Sequence, residues 1–164
     1  MKVMAKTKLN LPPSLFLEDG TEVRILPLEK TGGKALYVSA DGRCFSYYRC
    51  ILRQLKPQTD TSKINRFNAH RKQKYLRMTS YGNILVHIAV AIVWIGPRPE
   101  GCECDHLNGI TTDNRMTNLQ WVTPAENRKR AKLLRVLRSI GRDPRQMSRD
   151  ELLEIFNKYE FVNH

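Results

Sequence analysis

Residues 102–130, CECDHLNGITTDNRMTNLQWVTPAENRKR, hold one histidine, four asparagines and two aspartates around very little apolar material. A carboxylate and an amide oxygen are hard donors, suited to Mg²⁺ or Mn²⁺ rather than to zinc. Asp105 and Asn127 supply one of each. Two such ligands leave coordination positions for water and a phosphate oxygen. His106, beside that ion, would take the proton of an attacking water, and Asn118 would orient the imidazole through a hydrogen bond. Together these parts suit phosphodiester hydrolysis, with a Lewis acid, a general base and an orienting group. The competing reading of the same residues is a solvated loop with a capped turn.

Such chemistry needs elements that bring distant residues together. Thr123, Pro124 and Glu126 read as N-cap, first helical residue and N3 of a capping box. The helix then carries Leu133, Leu134, Leu137 and Ile140 on one face. Asn127 is thereby fixed in the first helical turn. LQWV before it reads as a short strand, ECDHL as another, and the Asn- and Gly-rich stretch between them as their connection. A strand, loop, strand, helix order would carry Asp105 and His106 towards Asn127. Asp113 and Asn114 are expected to hold the loop, and Arg115 to brace it or to clamp a phosphate.

At this point the residues resemble the HNH endonucleases of the ββα-metal (His-Me finger) fold. The resemblance rests on the ordered series D-H, N-G, D-N-R, N-L, V-T and E-N within CDHLNGITTDNRMTNLQWVTPAENRKR, and it is similar to phage and homing-type members. It extends upstream to LYVSADGRCFS, similar to a Tyr-x-Val-Ser-x-x-Gly-Arg element found before such nucleases, and to NILVHIAVAIVWIGPRPEG, similar to the helix that precedes the D-H pair. The resemblance implies one divalent ion, Mg²⁺ or Mn²⁺, held by Asp105 and Asn127, with His106 as general base and Asn118 supporting it. It implies an α+β fold: a β-hairpin-rich N-terminal region, a ββα-metal module, then C-terminal helices.

Charge points the same way. The 164 residues carry a formal net charge of +12, which favours a polyanionic partner, here double-stranded DNA. Residues 43–77 hold ten Lys or Arg against one acid, and residues 128–142 hold seven and none. Arg128, Lys129, Arg130, Lys132 and Arg135, with Arg138, are therefore expected on phosphates along the second helix, and Arg115 beside them. A second reading is a non-catalytic DNA-binding or regulatory protein on the same scaffold. A third is a zinc module using Cys44, Cys50, Cys102 and Cys104, whose C-x-C spacing is not that of a zinc knuckle.

The remaining elements follow from pattern. Residues 1 to about 20 read as a polar arm. EVRILPL reads as a strand, and KALYVSADGRCFSYYR as a hairpin turning at Asp41-Gly42. Residues 53–74 show no period and read as a loop. A strand near Tyr75 to Thr79 and a buried helix from about His87 to Ile95 precede the site, with His87 in a structural role and Trp94 and Trp121 in the core. Ser148 and Glu151 box the start of a last helix, striped with Leu152, Leu153, Ile155, Phe156 and Tyr159 for the core or a dimer contact. The expected division is residues 1–74 contacting DNA, 75–140 cutting it, and 141–164 as a helical extension, in a monomer or a homodimer. The longest apolar run is too short to span a bilayer, and no signal-peptide pattern opens the chain, so a cytoplasmic location is expected.

Overall fold

The computed structural model describes residues 11–60 and 75–161. An antiparallel five-stranded meander comes first: β1 (Ser14–Phe16), β2 (Glu22–Ile25), β3 (Leu36–Ser39), β4 (Cys44–Tyr48) and β5 (Ile51–Leu55), paired in that order. A three-stranded sheet follows, of β6 (Gln58–Asp60), β7 (Tyr75–Met78) and β8 (Ile84–Leu85). Then come α1 (Val86–Val90), continuing as a π-helical turn over Ala91–Ile95, the hairpin β9 (Glu103–His106) with β10 (Leu119–Val122), α2 (Pro124–Ser139) and α3 (Arg149–Phe161). The chain is α+β, as expected.

Strand β3 shows why the layers stack as they do. All four of its residues are buried, so both faces are covered. Alternation sends Leu36 and Val38 into one cluster with Leu26, Met78, Val86, Val90 and Leu119, and Tyr37 into another with Val23 and Phe45. The first cluster ties the N-terminal meander to α1 and to β10. Trp94 and Trp121 pack against it, each indole donating to a backbone carbonyl, of Val38 and Gly96 respectively, at 3.1 Å.

Helix α2 starts as its sequence dictates. The Thr123 hydroxyl accepts from the Glu126 amide at 3.3 Å, and the Glu126 carboxylate accepts from the Thr123 amide at 2.7 Å. Its apolar face (Leu133, Leu134, Leu137) closes on Leu152 and Phe156 of α3 and on Leu107. Burying Leu152 and Phe156 contributes about 1.5–3 kcal/mol each, so the α3 stripe is spent inside this chain, on the core side of the two roles expected for it.

Two expectations need correction. The N-terminal arm is not all arm, since β1 pairs with β2 in register Leu15↔Val23. Residues 53–60 are not loop, since β5 pairs along β4 (Cys44↔Leu55) and β6 pairs with β7. The basic and polar side chains of β5 stand in solvent and its leucines are only half buried, which hid the period of two. The rest of the expected loop, 61–74, lies outside the described residues. The β6–β7 ladder also crosses position 74/75, where the nuclease module was expected to begin. Among the described residues no helix is long and apolar enough to cross a membrane.

Candidate active site

The β9–β10 hairpin sets the site. Its register pairs His106 with Leu119, Asp105 with Gln120 and Glu103 with Val122. Side chains two apart on a strand share a face, so Glu103, Asp105 and the cross-strand Gln120 point the same way. Helix α2 lies on that face. Asn127 donates from Nδ2 to Glu103 Oε1 at 2.6 Å, which leaves its amide oxygen as the donor atom it can offer a cation. One turn on, Arg130 Nη1 donates to Gln120 Oε1 at 3.1 Å and stands 3.8 Å from Asp105 Oδ2.

His106 ends β9 and turns towards α1 and β7. Its ring lies 4.9 Å from that of His87 and 6.2 Å from that of Tyr75, centroid to centroid. Its Nε2 meets Asn114 Oδ1 at 3.2 Å. An amide oxygen only accepts, so Nε2 carries the proton and Nδ1 is left with the lone pair that a base needs. Asn114 is itself fixed from the N-terminal meander. Ala40 accepts from the Met116 amide at 2.8 Å, and a Cβ placed on Gly42, at φ 91°, would sit 3.0 Å from the Asn114 Cβ. The Ser-Ala-Asp-Gly turn between β3 and β4 thus seats the loop that holds the histidine.

Burial sets the charges here. His106 is 4% exposed, and desolvation holds its imidazole below the ordinary histidine value despite the Asn114 bond and the Asp113 charge, so it is uncharged at neutral pH. His87, also 4% exposed, is pushed down to about 3 by burial and by the neighbouring His106. For Asp105, desolvation raises the carboxyl above its usual range, and the pull of the Arg130 guanidinium does not cancel that. Asp105 Oδ2 is buried without a hydrogen-bond partner. An orphaned carboxylate oxygen on the strand face that α2 covers, with the amide oxygen of Asn127 on that helix left unspent, is a donor set that fits a small hard cation.

Residues 85–129 match the model of a family described as HNH endonuclease. The match covers the hairpin, the start of α2 and the helix before them, so this segment is similar to HNH endonucleases. A solved structure described as "DNA binding and cleavage by the HNH homing endonuclease I-HmuI" is 24% identical, with a TM-score of 0.42 over 63% of this chain and 60% of that one. The chain matches no curated protein.

In and just after this segment, two expected placements change. Asn118 does not hold the imidazole. Its oxygen accepts from the Asn108 amide at 3.1 Å, and its Nδ2 donates to Asn108 Oδ1 at 3.0 Å and to the Asp113 carbonyl at 2.9 Å. Asn114, expected only to brace the loop, is the imidazole's partner. Arg130 does not face solvent for a phosphate. It is 8% exposed, with the Phe156 ring centroid 5.0 Å from its guanidinium carbon. Arg128, Lys129, Lys132 and Arg135 are exposed along α2, while Arg115 is exposed but paired with Asp113 at 2.8 Å. Glu103, the partner of Asn127, was missed, although its place two residues before Asp105 on a strand was the available signal. The described residues include all four cysteines, and among them no three His, Cys, Asp or Glu gather to hold a metal. The zinc reading therefore has no ligand set.

Two stability results are expected. Asn118→Ala strands the Asn108 amide and the Asp113 carbonyl, costing about 2–4 kcal/mol in urea unfolding. His87→Phe acts through pH. Between its ordinary value near 6.5 and about 3, the unfolded chain protonates His87 while the folded chain does not. The unfolded state binds more protons there, so stability is lost as pH falls through that window. The wild type should lose on the order of a few kcal/mol more than His87→Phe on acidification, read by urea unfolding at neutral and at acid pH.

Proposed function

We propose that the chain is a metal-dependent DNA endonuclease that hydrolyses phosphodiester bonds. The observation that carries this reading is the pairing of a buried, uncharged His106 with the orphaned carboxylate oxygen of Asp105, one residue away on the hairpin of an HNH-like segment. Asp105 and the Asn127 oxygen would hold one Mg²⁺ or Mn²⁺, which when bound would withdraw charge from the scissile phosphate. Glu103 holds the Asn127 amide so that its oxygen faces the ion. Asn114 holds the His106 ring with Nδ1 open, and Nδ1 takes the proton of the water that attacks phosphorus. His87 and Tyr75 wall the imidazole off from bulk water. Asn118 keeps the loop between the strands in shape, at one remove from the chemistry.

We further propose a division of labour along the chain. The exposed Arg128, Lys129, Lys132 and Arg135 of α2, with Arg115, neutralise DNA phosphates, and the basic N-terminal region before residue 75 tracks the duplex. Residues 75–140 cut, and residues 141–164 brace the module. A cytoplasmic location, expected from the sequence, is part of the same proposal.

Supercoiled plasmid incubated with Mg²⁺ or Mn²⁺, and with EDTA as control, tests the reading. Conversion to open-circle or linear form only with metal supports it. Salt-sensitive DNA binding with no cleavage under either metal, on a plasmid library of randomised sites, would move the protein to the binding-only class.

A further inference from the structure

Among the described residues, Arg130 is a cation beside the site that the hydrolytic reading leaves without a task. It stands three residues after Asn127 and so on the same side of α2, above the Asp105 face of the hairpin. Its guanidinium is 8% exposed, lies 3.8 Å from Asp105 Oδ2, bonds Gln120 at 3.1 Å, and is backed by the Phe156 ring. At 3.8 Å the contact with Asp105 is an ion pair beyond hydrogen-bond reach. Consistently, Asp105 Oδ2 and Arg130 Nε are both buried without hydrogen-bond partners. The pair is therefore held by charge and by its surroundings. Gln120 and Phe156 fix the guanidinium from the side and from behind.

We propose that Arg130 is a positioning residue of the metal site: a resident counter-cation that neutralises Asp105 before the divalent ion binds and that opposes the ion's entry. This rests on the reading of Asp105 as a metal ligand. A fixed positive charge beside a carboxylate weakens that carboxylate's affinity for a second cation. Buried and held by Gln120 and Phe156, the guanidinium stays beside Asp105, so metal binds weakly while that charge is in place. The C-terminal helix enters the chemistry by this route, since Phe156 of α3 holds Arg130 in place.

The test is Mn²⁺ titration of the full chain by calorimetry, at mildly alkaline pH to keep Asp105 ionised. Arg130→Met keeps the aliphatic stem against Phe156 and removes the charge, and it should bind Mn²⁺ about tenfold more tightly than wild type. Arg130→Lys keeps a charge and should stay within about twofold of wild type. Arg130→Gln replaces the methionine variant if that one does not fold. A neutral variant that binds Mn²⁺ no better than wild type, or a lysine variant as tight as the neutral one, overturns the proposal. Damage to packing would only weaken binding, so the gain separates the electrostatic role from a structural one. Asp105→Asn is the control for the underlying reading. If it binds Mn²⁺ like wild type, Asp105 is not the ligand and both readings fall. If it abolishes binding while Arg130→Met is not tighter, only the role of Arg130 falls.

Discussion

His106→Ala should lower single-turnover plasmid cleavage by about a thousandfold or more, the scale of a well-placed general base, and leave DNA affinity unchanged. The two outcomes separate because of burial. The imidazole is 4% exposed and bonded to Asn114, while the exposed basic residues lie along α2, so removing the ring takes away a proton acceptor and no phosphate contact. The substitution also empties a buried space beside His87 and Tyr75. Added imidazole should enter it and restore part of the rate. The pH profile supplies a second reading. Because burial holds His106 below the ordinary histidine value, the acid limb of the wild-type rate should lie below the range of a free histidine. Above that limb the rate is flat with respect to this group, since the base is already uncharged. Cleavage by His106→Ala at the wild-type rate would remove histidine as the base.

Much of the frame was legible in the sequence, because short-range rules governed it. Thr123, Pro124 and Glu126 fixed where α2 begins, Asp41-Gly42 fixed a hairpin turn, and alternation around Asp105 and Trp121 fixed two short strands. Within the site, partner choice was harder to read. Asn114 and Asn118 sit in one loop, each able to satisfy several backbone or side-chain groups, and only the packing of Gly42 against Asn114 decides which reaches the imidazole. Arg130 was misread for a different reason. Among so many basic neighbours its charge suggested solvent. Its spacing to Leu133, Leu134 and Leu137 places it on the apolar stripe of the helix, and that periodicity was the better guide. Strands β5 and β6 were lost because their polar side chains are exposed and mask alternation, so nothing local distinguished them from loop.

Asp105→Asn should abolish metal-dependent cleavage, a loss of about a thousandfold or more, while leaving the metal-free protein within about 1 kcal/mol of wild-type stability. Two effects of burial oppose each other at this carboxylate. Desolvation is the largest influence on it and outweighs the attraction of Arg130, so its folded value lies above the unfolded one. Ionising this carboxyl therefore costs more in the folded chain than in the unfolded one, and stability falls as pH rises through its titration. A neutral amide of the same shape removes that burden, but it leaves the buried Arg130 guanidinium without its counter-charge, with only Gln120 and the face of Phe156 beside it. The two effects offset, and the expected net change is within about 1 kcal/mol, or about 2–4 °C in Tm for a chain of this size. Scanning with EDTA and then with Mg²⁺ gives the complementary result. A ligand that binds only the native state raises Tm with its concentration, so wild type should shift upward with Mg²⁺ and Asp105→Asn should not. A variant that still responds to Mg²⁺ would mean that Asp105 is held as the partner of Arg130 rather than for the metal. An inactive variant that no longer responds, at near wild-type stability, would identify the buried carboxylate as kept for the ion it binds.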